Sequence, residues 1–580
     1  MGIAITGIGV ISAIGNGADA TLASLRQKQS GIGEVRHLPT CHRGLPVGEV
    51  DDSDNELKHG LGIAEDTEVS RTVLLGATAL REAIADAGID KAQCQRMVLV
   101  SGTTVGGMDV TERYFGQLAE SDEHLQPVMS HDCGSSTEAT ARYGGIGGVR
   151  CTTVSTACSS ALNAIAVGAE LLSRGEADVV IAGGSEALSL FHLNGFNSLM
   201  ILSQERCRPF DAVRNGLNLG EGAAYVVMQR SDDATGRVYG YVAGYGNACD
   251  AYHQTASSPD GEGAYRAMSE ALAMGGVKPE DIDYVNAHGT ATENNDSSES
   301  AALRRLFGDA MPPVSSTKGY TGHTTSASGA IEVVISLLAM QHGFVPANVG
   351  YNTADIACIE PSMGIEGVSL RRVLCNSFGF GGNDSSLLLS LDEPKYPWPS
   401  YSQSAVVAAD VVIDNSESLA ELRQYIPVLE TRRMGKLLKA ATLSSLQALR
   451  NAGIDAPDAV IAATRWGMLE TSERFLSDMC QGGETMLKPS LFMQSTHNTI
   501  ASAIAIRTRC QGYNITYSHG SASLDWALDD ARRLIAQGKA RSVLVGLHDE
   551  STPMFADICR RLGCPIPYEV YSRSILLTTD

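Results

Sequence analysis

The sequence predicts an α/β fold with a largely buried sheet, and three observations carry that prediction. Short apolar runs of strand length and β-branched character recur, such as VVIAGG at Val179–Gly184, AAYVVM at Ala223–Met228 and SLLLSL at Ser386–Leu391. Helical patterns alternate with them, for example RTVLLGATALREAIADAG at Arg71–Gly88. Alternation of this kind means α/β with a largely buried sheet.

The third observation is an internal repeat. ALNAIAVGAELLSRGEADVVIAGG (Ala161–Gly184) lies without gaps over LDWALDDARRLIAQGKARSVLVGL (Leu524–Leu547). Three further pairs follow in the same order: Leu74–Asp90 with Leu437–Asp455, Val105–Phe115 with Arg465–Leu476, and the strand ending at Ser231 with the C-terminal YSRSILLTTD. Four ordered matches at a similar offset mark a duplication. The chain therefore reads as residues 1–235, a middle unit 236–391 without a second copy, and a repeat of the first unit over 404–580. DEPKYPWPSYSQS, from Asp392 on, carries three prolines and no periodicity, so 392–403 is expected to be a linker.

Charge and composition narrow the function classes. With 44 basic and 66 acidic residues the net charge is -22, which argues against nucleic acid or an anionic membrane as the main partner. Thirteen cysteines, an odd number without a repeated CxxC pair, suggest neither a disulfide framework nor a metal site. No apolar run approaches the roughly 18 residues that span a bilayer, and MGIAITGIGV has no basic stretch before its apolar one. A reducing, cytoplasmic setting is the expectation.

The chemistry centres on VSTACSSALN, Val154–Asn163. Cys158 follows a β-rich run and opens what reads as an amphipathic helix, whose free N–H groups and dipole are expected to favour the thiolate. His288 follows the short strand DYVNA in VNAHGTATENND, while Lys318 and His323 stand in the small-residue stretch SSTKGYTGHTTSASGAIE. A thiolate and two imidazoles are a set able to handle a thioester oxygen and a carboxylate, provided they meet. The glycine-rich NSFGFGGND lacks the GxGxxG and GKS/T patterns of phosphate-binding loops.

These strings, with GYGNACDAYHQT (Gly244–Thr255) and RPFDAVRNGLNLGEGAA (Arg208–Ala224), closely resemble the β-ketoacyl-acyl carrier protein synthases over Met1 to about Leu391. The resemblance implies a thiolase-like, five-layered αβαβα fold and decarboxylative condensation of a malonyl unit with an acyl chain. Cys158 would carry the acyl chain, with the backbone N–H groups of Cys158 and Phe380 as the oxyanion hole. His288 and His323 would assist malonyl decarboxylation, with Lys318, Asp296 and Glu332 holding the histidines and their charge, and Phe378 and Phe380 would gate the acyl pocket. No bound cofactor or metal is implied; substrates would arrive on the phosphopantetheine of an acyl carrier protein. Asn383-Asp384 and Asn215 depart from the common Thr-Asn and Asp of such enzymes, which puts pocket shape in question.

The repeat over 404–580 resembles the N-terminal half of the same fold, with Ser521 in the place of the nucleophile. Members of the family pair through their N-terminal halves, so this copy would occupy the partner surface as an internal pseudo-dimer, like a chain-length factor, with Leu491–Thr496 near the tunnel floor. Further self-association is left open. Half-synthase units of this kind resemble those of aryl-polyene and flexirubin-type systems; ordinary fatty-acid elongation is the alternative. Three rival classes remain on the residues alone: a thiolase, which would need a late Cys-x-Gly motif that is absent, a cysteine hydrolase or redox sensor, and a non-catalytic chain-length protein, which would have lost Cys158.

Overall fold

The computed structural model describes residues 2–90, 94–394, 398, 402–432 and 434–579. Half of the proposed linker, 395–397 and 399–401, therefore lies outside the described residues. Three sets of five strands make up the main path of one sheet. The first set is β1 (Ile3–Ser12), β2 (Met97–Gly102), β3 (Arg150–Val154), β4 (Val179–Glu186) and β5 (Gly222–Arg230). The second is β6 (Gly240–Cys249), β7 (Tyr284–Asn286), β8 (Val314–Ser315), β9 (Arg372–Gly379) and β10 (Asn383–Ser390). The third is β11 (Ala405–Ile413), β12 (Ala459–Ala463), β13 (Asn514–Tyr517), β14 (Ser542–Glu550) and β15 (Val570–Thr579).

The strand order is β11-β15-β14-β12-β13-β3-β2-β4-β5-β1-β6-β10-β9-β7-β8. Within each set the same succession appears: third, second, fourth, fifth, first. The middle set thus repeats the topology of the other two, although its sequence carries no repeat signal.

Helices fill the matching places. They are α1 (Arg71–Ala87), α2 (Cys133–Tyr143) and α3 (Ser160–Ser173) in the first set, α4 (Glu262–Gly275), α5 (Glu293–Phe307) and α6 (Ser328–His342) in the second, and α7 (Lys436–Ala452), α8 (Thr499–Thr508) and α9 (Ser523–Ala536) in the third. In residues 1–391, α1 packs outside β1 and β5, α4 packs outside β6 and β10, and α3 and α6 lie face to face between the two half-sheets. Five layers result, in the order αβαβα.

That layering corrects one sequence expectation. The helix after Cys158 was expected to be amphipathic, but every residue from Ser160 to Leu172 is buried, because the middle unit covers the face that solvent would otherwise meet. Its counterpart α9 keeps Asp525 and Arg532 exposed.

The first and third sets join edge to edge. Val154 of β3 pairs antiparallel with Tyr517 of β13, the residue 363 positions on and its equivalent in the repeat. Ser155 donates its N–H to the Thr516 carbonyl at 2.9 Å, and Ser518 donates to the Thr153 carbonyl at 2.9 Å. Those two bonds exchange under the same offset of 363, so a local two-fold axis runs between the strands. Two sheet edges that alone would be open are closed against each other.

Candidate active site

Cys158 stands on a turn built to hold it. Strand β3 ends at Val154, Ala157 adopts the left-handed region at φ 52°, and a short 3-10 turn, Ala157–Ser159, leads into α3. A left-handed alanine costs about 1 kcal/mol or more, and such strain persists where surrounding bonds over-determine it. Those bonds are present: Thr156 N–H to Ser160 Oγ at 2.9 Å, Ser159 Oγ to the Thr156 carbonyl at 2.9 Å, and Asn163 Nδ2 to Thr156 Oγ1 at 2.9 Å.

The structure brings Cys158, His288 and His323 together. Cys158 Sγ lies 3.0 Å from His323 Nε2, and one ligand atom from each of the three residues falls within 4.8 Å of the others. Their rings meet edge to face, with centroids 5.3 Å apart. Burial pushes the Cys158 thiol up to about 12, with the Lys318 ammonium and the Phe380 N–H pulling the other way. The expectation of a thiolate at the helix mouth is therefore overturned: burial outweighs the dipole, and the resting sulfur keeps its proton. Both histidines are held well below the usual imidazole range, first by burial and then by Lys318. Two neutral imidazoles face a thiol.

Each histidine is aimed by its neighbours. Lys318 Nζ lies 3.3 Å from His288 Nδ1 and 2.5 Å from Glu332 Oε1, all of it buried. An ammonium can only donate, so His288 Nδ1 accepts and its own N–H sits on Nε2. Burial raises Glu332 to about 7, and Lys318 opposes that rise. His323 Nδ1 meets Ser328 Oγ at 3.1 Å, and its backbone is clamped on both sides, His323 N–H to the Asn218 carbonyl at 2.7 Å and Gly220 N–H to the His323 carbonyl at 3.0 Å. Gly220 has no alternative there, since a Cβ would lie 2.2 Å from the Thr321 carbonyl oxygen. This is what the NGLNLGEG stretch is for.

Asp296 departs from its expected part. It touches neither histidine; its carboxylate accepts the N–H groups of Phe210 at 2.7 Å and Ala291 at 3.2 Å. One helical turn on, Glu299 takes the N–H groups of His288 at 2.9 Å and Gly289 at 2.8 Å. A carboxylate aimed at a loop N–H leaves no mark in a single sequence, so Glu299, Asn218 and Ser328 were all missed.

Cys158 sits where two cavities meet. The outer one, about 260 Å³, is lined by Thr255, His288, Thr290, His323, Phe378 and Phe380 among others, and the inner one, about 40 Å³, by Val105, Phe191, Phe196, Phe380, Phe492 and His497 among others. Phe380 stacks on Phe196 at 5.7 Å, and Phe378 lies 5.9 Å from the His288 ring. Beyond His131, Trp466 and Ser472 a third space of about 50 Å³ continues between Met129, Leu469 and Phe555. The inner spaces are narrow and mostly apolar, with walls drawn from both ends of the chain. From the expected floor, Phe492, Ser495 and Thr496 line the inner cavity; Trp466, Ser472 and His497 join them without having been anticipated. His131 and His497 stand at equivalent places, each two residues before its helix, a signal that the repeat did contain.

Ser521 is exposed, on the turn ahead of α9, while Gly520 before it takes the left-handed region at φ 56° where the first unit has Ala157. No helix of the described residues is long and apolar enough to cross a membrane.

Comparison with known proteins agrees with this geometry. A family model for the β-ketoacyl synthase N-terminal domain matches residues 1–234, one for the C-terminal domain matches 239–352, and a second N-terminal-domain model matches 403–570. The 3-oxoacyl-[acyl-carrier-protein] synthase 2 of Staphylococcus aureus (strain COL) is 32% identical over 408 residues, which cover 67% of this chain and 97% of that one. The same-named protein of Coxiella burnetii is 33% identical over 410 residues, covering 67% and 98%. Among solved structures, the ishigamide ketosynthase/chain length factor has a TM-score of 0.63 at 31% identity, covering 67% of this chain and 99% of that one. The ketosynthase ApeO in complex with its chain length factor ApeC from Xenorhabdus doucetiae has a TM-score of 0.58 at 31% identity, covering 67% and 98%. The PfaC keto synthase-chain length factor covers all of this chain and 78% of its own at a TM-score of 0.79, and at 16% identity it speaks for the thiolase-like fold and the associated second unit alone. With a thiol and two imidazoles gathered at the base of one cleft, the chain belongs to the β-ketoacyl synthase family of condensing acyltransferases.

Proposed function

We propose that the chain elongates acyl groups delivered by an acyl carrier protein, in the manner of a ketosynthase joined to a chain-length factor, and that it does so in a polyene or polyketide type of pathway. The observation that carries the reading is Cys158 Sγ at 3.0 Å from a neutral His323, at the junction of an entrance and a narrow inner space.

In the first half-reaction the sulfur attacks the acyl thioester carbonyl. A Cys158 S–C bond forms, the carrier's S–C bond breaks, and the thiol proton passes through His323 to the departing phosphopantetheine thiolate. The N–H groups of Cys158 and Phe380, which already act on the sulfur, receive the oxyanion. In the second, a malonyl thioester enters the outer cavity. Its carbonyl oxygen takes hydrogen bonds from the N–H groups of His288 and His323, the C–C bond to the carboxylate breaks, and CO₂ leaves behind an enolate. The enolate carbon attacks the acyl carbonyl on Cys158, the S–C bond breaks, and the departing Cys158 thiolate takes up a proton from solvent, the one proton that the overall condensation consumes. No bound cofactor enters the reaction.

We read residues 1–235 and 236–391 as the two halves of the synthase and 404–580 as a degenerate first half. It fills, within the chain, the face that a partner subunit would cover, and its helices wall the inner cavity. Resemblance to solved structures whose titles name a ketosynthase with its chain length factor supports this, as does the two-fold bonding between β3 and β13.

Release of CO₂ from malonyl carrier protein tests the reading. Cys158→Ala is expected to abolish condensation and retain decarboxylation, while His288→Ala and His323→Ala lower decarboxylation at least roughly tenfold. Condensation by the Cys158→Ala variant would refute it. Preference for conjugated over saturated acyl groups separates polyene building from ordinary fatty-acid elongation.

A further inference from the structure

The third unit reaches the reacting centre as well as the cavity behind it. Asn498 lies just before α8, at the place that Asp132 occupies before α2. Asp132 caps its own helix, accepting the Ser135 N–H at 3.0 Å, the usual work of such a residue. Asn498 makes no such bond. Its Nδ2 donates instead to the Phe380 carbonyl at 2.8 Å and to Asn383 Oδ1 at 2.6 Å, across the boundary between units. Asn383 in turn donates to Asn514 Oδ1 at 2.9 Å and to the Asn514 carbonyl at 3.1 Å, which fixes which end of each amide faces which.

The segment so held is the glycine-rich loop after Phe378. Gly381 and Gly382 take φ of 85° and 72°, conformations that favour glycine, and a Cβ on Gly381 would come within 2.1 Å of Ser502 Oγ in α8. Asn498, 1% exposed, grips the carbonyl of the same residue whose N–H points at the Cys158 sulfur. Its neighbours Ser495, Thr496 and His497 line the inner cavity.

We propose that Asn498 is a positioning residue of the degenerate unit: it latches the Phe380 loop so that the Phe380 N–H stands ready as an oxyanion donor. This rests on the reading of Cys158 as the acylated nucleophile. It gives the third unit a part in the rate of the chemistry, distinct from any part in chain length. An aspartate in place of Asn498 keeps the shape, removes the donor, and sets a carboxylate against two acceptor oxygens.

The full chain, loaded with an acyl carrier protein, is the material for the test. Asn498→Asp is expected to slow acylation of Cys158 at least roughly tenfold in kcat, with KM for the acyl carrier within about twofold, and to speed hydrogen exchange over residues 376–388. Asp529→Ala, which removes a different inter-unit contact, the Arg174–Asp529 ion pair at 2.9 Å, is expected to leave both readouts unchanged. Wild-type acylation rates or unchanged exchange in Asn498→Asp would overturn the latch, and so would equal slowing by Asp529→Ala, which would point to the interface as a whole. If wild-type protein took no acyl group on Cys158, the functional reading would fall and the latch with it.

Discussion

Cys158 shows how far single residues determine the chemistry. Its neighbour Ala157 bears left-handed strain, and the equivalent Gly520 does not, so the repeat carries no such strain beside Ser521, which stands 363 positions after Cys158. The three reacting groups were legible in the sequence because each sits in a string of small residues, Cys158 and His288 just after a strand and His323 in the stretch that leads into α6. Their charge states were not legible, since burial by a distant unit decides them: the thiol is raised to about 12, not lowered. Buried Lys318 and Glu332 form a pair whose loss is costly at this site. Lys318→Met is expected to destabilise the chain by about 3 to 5 kcal/mol at pH 8, because Glu332 is left buried without a cation. Glu332 already titrates high, so protonation relieves it, and the deficit in urea unfolding should shrink as pH falls towards 5. A deficit independent of pH would contradict this.

At the scale of elements, strands and helices of the first and third units were readable from their period and from each other. Middle-unit strands β7 and β8 are only three and two residues long and follow no repeat, which is why the shared topology of all three units emerges only in space. The misjudged helix α3 has the same origin, since a helix covered on all sides and one covered on a single face differ by what packs on them. Strand β14 of the third unit carries a further consequence. His548 is buried beside Ser572, its Nδ1 2.7 Å from Ser572 Oγ, and burial lowers it to about 3. The unfolded chain binds that proton near pH 6.5 and the folded chain does not, so stability is lost as pH falls below about 6.5. Replacing His548 with Asn should make the fall in unfolding free energy between pH 6.5 and 4.5 smaller by about 2 to 3 kcal/mol. Parallel pH curves for the two proteins would show that the imidazole is not the sensitive group.

Across the whole molecule, three five-strand units run edge to edge, and the reacting groups come from the first two while all three contribute walls to the inner cavity. The duplication was visible in the sequence, but not that the third unit would touch Phe380 through Asn498, because that contact crosses 118 positions and depends on docking. The central claim is that one chain supplies the nucleophile, both imidazoles and the paired half that closes the site. Native mass spectrometry after incubation with an acyl carrier protein tests it most directly. One acyl group on a 61.2 kDa monomer, traced to the Cys158 peptide and absent from Cys158→Ala, is the expected result. An acyl group placed elsewhere, or taken up only by a species containing two chains, would contradict it.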